Sequence, residues 1–234
     1  MKKGLTSILF ISVFSLFSFS QQSIKLKKKD RKRDVELMTG NGSIILRLSD
    51  STPLHRDNFL RLVKSGYYNG LLFHRVIKNF MIQAGDPKSR QAQAGQLLGD
   101  GGPGYTIPPE FRTTLFHKKG VLAAARQSDD INPEKLSSGS QFYIVQGRKF
   151  TDAGLDSIEN LRLRRKIPPS HREQYKTLGG VPHLDQAYTI FGEVVEGLNV
   201  VDIIASEPTS RQPPDRPLKD IRIIDARLIK RKNK

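Results

Sequence analysis

Two short stretches with alternating side chains, FHRVI and FMIQAG, lie between Phe73 and Pro87 and constrain the fold more than any other feature. Alternation with a period of two is typical of β-strands, and the Lys78-Asn79 pair between the stretches predicts a hairpin. Arg75 of the first stretch would lie beside Phe80 and Met81 and would be partly desolvated. These residues alone leave two interpretations open, a core hairpin with one solvated arginine or a ligand site.

Strand and turn signals recur along the rest of the chain. VELMT and SIILRL are joined by an Asn-Gly pair, which favours a tight hairpin turn because both residues tolerate positive φ. Further strand patterns are VLAAA, QFYIV, YTIFGEVV and IRIIDARLI. Thr52-Pro53 predicts the start of one helix, and the apolar run at 198–204 predicts another. At 234 residues the chain is long enough for one large domain.

The first 20 residues have the pattern of a secretory signal peptide. They combine a basic start at Lys2-Lys3, an uncharged run over Leu5–Phe19 and a small-x-small end at Ser18–Ser20. We therefore expect export to the periplasm with cleavage after Ser20. An uncleaved membrane anchor is the alternative, although the run is short for a span of about 20 residues.

The chain is strongly basic, with a formal net charge of +16, and it has no cysteine. The absence of cysteine excludes a disulfide scaffold and thiolate catalysis. Residues 21–33 have few apolar side chains and are predicted to be a disordered basic arm, and residues 231–234 form a basic tail. The arm is either solvated or in contact with a membrane surface. We expect no specific nucleic-acid partner, since aromatic residues do not interleave with these charge runs.

The string FHRVIxxFMIQxGD resembles the signature of the cyclophilins, the family of peptidyl-prolyl cis/trans isomerases. The resemblance continues in the family's order through GPGYTIPPEF, GVLAAA, SSGSQFYIV and HLDQAYTIFGEVVEGLNVVDII. It implies a mainly β fold over residues 34–230: a closed eight-stranded antiparallel β-barrel capped by two α-helices, with the peptide groove on its outer surface. It also implies isomerisation of X-Pro bonds in exported, proline-containing polypeptide segments, without a cofactor.

The resemblance assigns roles to individual residues. Arg75, in FHR, matches the catalytic arginine. The proline pocket would be lined by Phe80, Met81, Tyr143, Leu184 and Tyr188. The peptide backbone would be bound by Gln83 and Gln141, and the groove would be bordered by Ala125, Arg126, Gln127 and His183.

Four of these positions depart from the commonest eukaryotic pattern. His183 stands where that pattern has a tryptophan, so weak or no cyclosporin binding is expected. Tyr188 replaces a histidine, as in bacterial members, and Tyr143 replaces a phenylalanine and adds a hydroxyl that would narrow the pocket. Arg126 replaces a small polar residue and, together with Lys78, is expected to bias peptide choice toward acidic neighbours.

Residues 152–180 exceed the short loop that most cyclophilins have at this position, and we interpret them as an insertion. Apolar residues spaced by three from Leu155, and a capping pattern at Ser170, predict two short helices. The basic LRLRRK stretch is either a solvated helix face or a surface for a partner.

A non-catalytic peptide-binding chaperone or assembly factor that uses the same groove is the alternative function. Arg75 favours the enzyme, because a scaffold without catalysis has little reason to keep a half-desolvated arginine beside Phe80. His74, His183 and Asp185 lack the spacing of a known zinc motif, so no metal site is predicted. A monomer is the default expectation for a closed barrel without exposed edges.

Overall fold

The computed structural model describes residues 24–232. The predicted signal peptide, the first three residues of the predicted arm and the last two residues of the tail lie outside this range. The strands are β1 Arg33–Thr39, β2 Gly42–Leu48, β3 Phe73–Ile77, β4 Met81–Ala84, β5 Thr106–Ile107, β6 Val121–Ala124, β7 Ser137–Ser138, β8 Phe142–Val145, β9 Ile190–Glu196 and β10 Ile223–Lys230. The helices are α1 Pro53–Lys64, α2 Asp152–Ile158, α3 Pro169–Thr177 and α4 Leu198–Ala205. None of the helices within 24–232 has the length and apolar character needed to cross a membrane.

Eight of the strands form one curled antiparallel sheet in the order β10-β1-β2-β9-β6-β8-β4-β3, and β5 pairs separately with β7. The predicted hairpin of VELMT and SIILRL is β1 and β2, and its turn places Thr39 opposite Gly42. The expected mainly β, eight-stranded antiparallel fold is confirmed. In the pairing of the named strands the sheet is open, with β10 and β3 at its edges. Two backbone hydrogen bonds connect the start of β3 with the start of β10: Phe73 N donates to Ile221 O, and Ile223 N donates to Leu71 O, each at 2.8 Å.

Helices α1 and α4 bury their apolar sides against this sheet. Helix α1 begins at a proline, as predicted, and its Phe59 ring meets the Phe142 ring of β8 edge-on at 5.3 Å. Val201 and Ile204 of α4 are fully buried in the same hydrophobic core. Burying a large apolar side chain contributes about 1.5–3 kcal/mol, so both helices contribute to the core under the sheet.

The prediction of a disordered arm at residues 21–33 is wrong for its last residues, which form a short 3-10 turn and the start of β1. The buried Asp30 carboxylate accepts a hydrogen bond from Lys64 of α1 at 2.8 Å. Arg31 forms an ion pair with Asp57 of the same helix at 2.6 Å. Two charges of the segment that was predicted to be solvated are therefore paired with opposite charges on α1, which composition does not reveal.

Residues 152–180, interpreted from the sequence as an insertion and called the insertion below, contain the two predicted short helices, α2 and α3, joined through a π-helical turn at Glu159–Leu163. Leu155, Ile167 and Tyr175 form a small core of its own. The buried Glu159 carboxylate pairs with Lys166 at 2.9 Å and with Arg172 at 2.8 Å, and these partners hold its pKa at about 2. The insertion is therefore an ordered unit packed on the domain.

Candidate active site

Arg75, Gln83 and Tyr143 lie in one row across three adjacent strands. The β3–β4 pairing places Arg75 opposite Gln83, and the β4–β8 pairing places Gln83 opposite Tyr143. Residues directly opposite in an antiparallel pair share a face and have Cβ atoms about 5 Å apart. The hairpin turn that sets this register contains Asn79 at φ 63°, a left-handed conformation that asparagine tolerates better than most residues.

A pocket of about 590 Å³ lies over this row. It brings together most of the predicted site residues: Arg75, Phe80, Met81, Gln83, Ala125, Arg126, Tyr143, Leu184 and Tyr188. Gln127 and Gln141 line an adjoining cleft of about 830 Å³, which also includes Gln83 and Arg126. His183 lies on the opposite side, with its ring stacked on Phe80 at 6.0 Å between centroids. The structure thus places the predicted residues along one continuous surface.

The Arg75 guanidinium is half-exposed at the rim of the pocket, with 43% of the side chain accessible. Within residues 24–232 its side chain has two polar partners, the Gln83 amide oxygen at 3.4 Å and an Asp215 carboxylate oxygen at 3.4 Å. Both contacts are long, and an ion pair this exposed contributes at most about 1 kcal/mol. The guanidinium therefore retains donors that can turn toward a ligand.

The side-chain amide of Gln141, predicted to bind the peptide backbone, is hydrogen-bonded within the protein. Its side chain is buried, and its amide nitrogen donates to Gly99 O at 2.8 Å and to Gly101 O at 2.7 Å. Its amide oxygen accepts a hydrogen bond from Gln83 at 3.0 Å. Because both amide donors are used inside the protein, Gln141 positions Gln83 and the segment 88–104, which we call the glycine-rich loop, and Gln83 in turn contacts Arg75.

The glycine-rich loop contributes pocket residues that sequence reasoning missed. Leu97, Leu98, Gly99 and Asp100 line the pocket, together with His74 of β3. The loop folds back because the buried Asp86 carboxylate accepts hydrogen bonds from the backbone N–H groups of Lys88, Gly99 and Gly101. The one local signal that could have indicated this fold-back is Asp86 itself, which follows β4 after one glycine and precedes the glycine-rich loop.

His74 is buried beside this loop, and burial lowers its pKa to about 4. Neither ring nitrogen has a hydrogen-bond partner among the described residues. The imidazole therefore stays neutral over most of the pH range in which the protein is expected to work.

The floor of the pocket is anchored by a buried hydrogen-bond network. The Tyr143 hydroxyl lies 2.9 Å from His117 Nε2, and His117 Nδ1 lies 3.0 Å from an Asp185 carboxylate oxygen. The second Asp185 oxygen accepts a hydrogen bond of 2.8 Å from the hydroxyl of Tyr175, in helix α3 of the insertion. Because a carboxylate only accepts, His117 Nδ1 donates to it, and Nε2 accepts from Tyr143. The network links the insertion to the pocket floor.

This network also explains where the additional hydroxyl of Tyr143 lies. The hydroxyl is bonded to His117 beneath the pocket, so it does not narrow the pocket as the sequence led us to expect. Burial raises the pKa of Tyr143 well above its ordinary value, and the phenol stays protonated. The aromatic face of Tyr143 meets Tyr188 at a near-perpendicular angle, with ring centroids 5.9 Å apart.

Arg126 is folded onto the pocket wall. Its guanidinium carbon lies 4.4 Å from the centroid of the Tyr188 ring, and its Nε donates to Ala187 O at 2.8 Å. The guanidinium also pairs with Asp129 at 2.6 Å, and only 4% of the side chain is exposed. The charge of Arg126 is therefore compensated within the protein, and its main contact is with the Tyr188 ring.

Three comparisons with known proteins are consistent with one another. The family model "Cyclophilin type peptidyl-prolyl cis-trans isomerase/CLD" matches residues 34–228. A Staphylococcus saprophyticus protein named "Putative peptidyl-prolyl cis-trans isomerase" is 34% identical over 192 residues, covering 82% of this chain and 89% of that protein. A second relative is a Streptococcus pyogenes protein named "Putative bifunctional phosphatase/peptidyl-prolyl cis-trans isomerase". It is 35% identical over 190 residues, and the match covers 80% of this chain but 37% of that protein.

Solved structures of a Cryptosporidium parvum cyclophilin-type isomerase have the same fold. One matches with a TM-score of 0.63 and 24% identity, covering 86% of this chain and 99% of that chain. A second, determined in the presence of the dipeptide Ala-Pro, matches with a TM-score of 0.61 and 25% identity, covering 84% of this chain and 98% of that chain.

Proposed function

The chain belongs to the cyclophilin-type peptidyl-prolyl cis-trans isomerases, and from that premise we propose that it accelerates X-Pro isomerisation with Arg75 as the catalytic residue. The observation that carries the proposal is the position of Arg75: a half-exposed cation at the rim of an apolar pocket, with weakly bound donors. The sequence resemblance assigns the same residue to the same role.

The reaction needs no nucleophile, metal or cofactor. Rotation about a peptide bond faces a barrier of about 18–20 kcal/mol that arises from amide resonance. A catalyst lowers this barrier by binding the twisted amide more tightly than either planar isomer. As the amide twists, the prolyl nitrogen regains its lone pair, and a nearby cationic donor stabilises that lone pair. Each 1.4 kcal/mol of such differential stabilisation accelerates the exchange about tenfold.

The pocket geometry supports this mechanism. The side chains of Phe80, Met81, Leu184 and Tyr188 offer an apolar surface large enough for a pyrrolidine ring. With the ring held there, the prolyl nitrogen faces the rim where the Arg75 guanidinium lies. Apolar walls beside the cation reduce its access to water, which strengthens its interaction with the twisted amide.

We propose proline-containing polypeptides as substrates, encountered after export. The related Cryptosporidium structure determined in the presence of Ala-Pro supports the substrate class. The signal-like pattern of the first 20 residues supports export to the periplasm, where the enzyme would assist folding. His183 in place of the tryptophan of the commonest eukaryotic pattern supports weak or no cyclosporin binding.

We also propose that the sheet closes into a barrel, capped by α1 and α4. The backbone hydrogen bonds from Phe73 to Ile221 and from Ile223 to Leu71 support closure between the segment before β3 and the segment before β10. An isolated antiparallel bridge pairs Leu72 with Arg222 at the same place. Closure would leave no long unpaired edge, and this favours a monomer.

The test is NMR exchange spectroscopy on a short X-Pro peptide, with the purified protein and its Arg75→Ala variant side by side. Removing one donor that stabilises developing charge costs about 10²–10³ in rate, and because Arg75 is half-exposed we expect a loss of about a hundredfold. Arg227→Ala is the matched control, because Arg227 is an exposed arginine of β10, paired with Glu36 outside the pocket. It should leave kcat/KM unchanged.

Two results would contradict the proposal. Equal loss in Arg75→Ala and Arg227→Ala would mean that the general positive field, and not this guanidinium, accelerates exchange. Detectable peptide binding without any acceleration would favour the non-catalytic chaperone that uses the same groove.

A further inference from the structure

A second pocket, of about 390 Å³, adjoins the proline pocket on the side away from the 830 Å³ cleft. We call it the insertion pocket. Ile158 and Arg162 come from the insertion, and Phe80, Val181 and His183 come from the domain. Its floor is therefore apolar, and it exists because residues 152–180 pack against the domain at this point.

The insertion pocket is continuous with the proposed active site. Phe80 lines both pockets, and the His183 ring stacks on it at an interplanar angle of 23°. Burial and the positive charge of Arg162 together lower the pKa of His183, which indicates that the guanidinium lies within electrostatic reach of the ring. A polypeptide whose proline lies against Phe80 can therefore extend into the insertion pocket on one side of the proline.

Two exposed arginines border the insertion pocket, Arg148 and Arg162. Within residues 24–232 neither has a carboxylate within 4.0 Å. The Arg148 guanidinium lies over the Phe150 ring at 4.9 Å, an arrangement that leaves the in-plane N–H donors of the guanidinium open. The pocket thus combines an apolar floor with two uncompensated planar cations.

The cations on the other side of the active site are compensated. Arg126 pairs with Asp129 at 2.6 Å, and Lys88 pairs with Asp100 at 2.7 Å. Any charge preference of the groove is therefore expected at the insertion pocket and not at the 830 Å³ cleft. The sequence led us to expect that Arg126, together with Lys78, attracts acidic residues; the pairing of Arg126 with Asp129 removes the Arg126 part of that expectation.

We propose that the insertion pocket is a substrate subsite that binds acidic residues of the polypeptide whose proline occupies the main pocket. The proposal rests on the proposed function, because it extends the same substrate. Guanidinium groups bind carboxylates through two parallel hydrogen bonds, and the apolar floor accommodates the methylene groups of glutamate. The insertion then makes this chain selective for prolines that have acidic neighbours on one side.

The test compares three fluorescein-labelled X-Pro peptides: one with Glu-Glu before the proline segment, one with Glu-Glu after it and one with Gln-Gln at both places. Binding is measured by fluorescence anisotropy with the full chain, and isomerisation by NMR exchange. One of the two acidic peptides should bind about threefold to tenfold more tightly than the Gln peptide, as expected for two partly exposed ion pairs. The gain should vanish at about 1 M salt, where the screening length is about 3 Å.

Charge-reversing substitutions test whether Arg148 and Arg162 bind the acidic side chains. Arg148→Glu and Arg162→Glu should each remove most of the gain. Lys149→Glu and Arg164→Glu are matched controls, because they make the same charge change at exposed neighbours outside the pocket lining and should keep the gain. Equal loss in variants and controls would overturn the proposal in favour of a general field effect, and a gain that survives both pocket variants would also overturn it.

The two proposals fail in distinguishable ways. If the Gln peptide is isomerised rapidly and neither acidic peptide binds more tightly, the subsite is wrong and the enzyme stands. If one acidic peptide binds more tightly through Arg148 and Arg162 but no peptide is isomerised, the subsite stands and the proposed catalytic function is wrong.

Discussion

Replacing Tyr175 with phenylalanine tests whether the insertion stabilises the floor of the active site. The Tyr175 side chain is fully buried, and its hydroxyl donates to an Asp185 oxygen at 2.8 Å. Phenylalanine would keep the ring contacts with Phe116 and Phe150, whose centroids lie 5.5 and 6.4 Å away. The substitution therefore removes one hydrogen bond and almost no packing.

The expected cost follows from the burial of both partners. A hydrogen bond to a charged group contributes about 1.5–3 kcal/mol, and here the loss leaves a buried carboxylate oxygen without its donor. We therefore expect the free energy of unfolding to fall by about 2.5 kcal/mol. With a urea m-value of about 2.5 kcal/mol/M, the unfolding midpoint should fall by about 1 M.

The assay is urea unfolding at neutral pH, followed by circular dichroism, with Tyr105→Phe as the control. The Tyr105 hydroxyl donates to Asn58 at 2.7 Å, but the residue is 43% exposed, so water replaces the lost bond. Its midpoint should shift by less than about 0.2 M, the range of ordinary surface substitutions. Equal shifts in the two variants would refute the reasoning. The reasoning would also be refuted if the whole loss of stability in Tyr175→Phe appeared as a separate transition at low urea concentration, because the insertion would then unfold independently of the rest of the domain.

Two further predictions concern the pocket. The pKa of His74 is about 4 in the folded protein against 6.5 in the unfolded chain. Between these pH values the histidine is protonated mainly in the unfolded state. The free energy of unfolding should therefore fall by up to about 3 kcal/mol as the pH drops from 6.5 to 4. His74→Leu should flatten that slope in unfolding measurements across this range, and an unchanged slope would contradict the assignment. Gln141→Leu should lower kcat/KM about tenfold, because Gln83 loses its hydrogen bond to Gln141 and is no longer held beside Arg75. In an Arg75→Ala background the same substitution should have little effect. Additive losses in the double variant would show that Gln141 acts independently of Arg75.

Most of the central hairpin could be predicted from the sequence. Alternation in FHRVI and FMIQAG depends only on neighbouring residues, and a short turn at Lys78-Asn79 sets the β3–β4 register from Ile77 back to Arg75. A register shift between Phe73 and Arg75 interrupts the alternation, and the sequence did not predict it. The apolar stripe of α1 and the two helices of the insertion are equally local patterns. The resemblance could identify the pocket residues because the motifs that carry it are short runs of the chain.

Predictions that depended on distant partners were less complete. The basic segment before β1 appeared solvated, because its carboxylate and ammonium partners on α1 lie 26 and 34 residues away. Gln141 appeared free for a peptide until the fold placed Gly99 and Gly101 against it, about 40 residues earlier in the chain.

The sequence by itself determined which residues share a face within most of the strands and helices, because periods of two and 3.6 residues are properties of the local backbone. The tertiary structure alone decided which charges are compensated. Arg31 is paired with Asp57, 26 residues away, while within residues 24–232 Arg148 and Arg162 have no carboxylate partner. Electrostatic attraction acts through space, and the distance between two charges is set by the path of the whole chain and not by their separation along it.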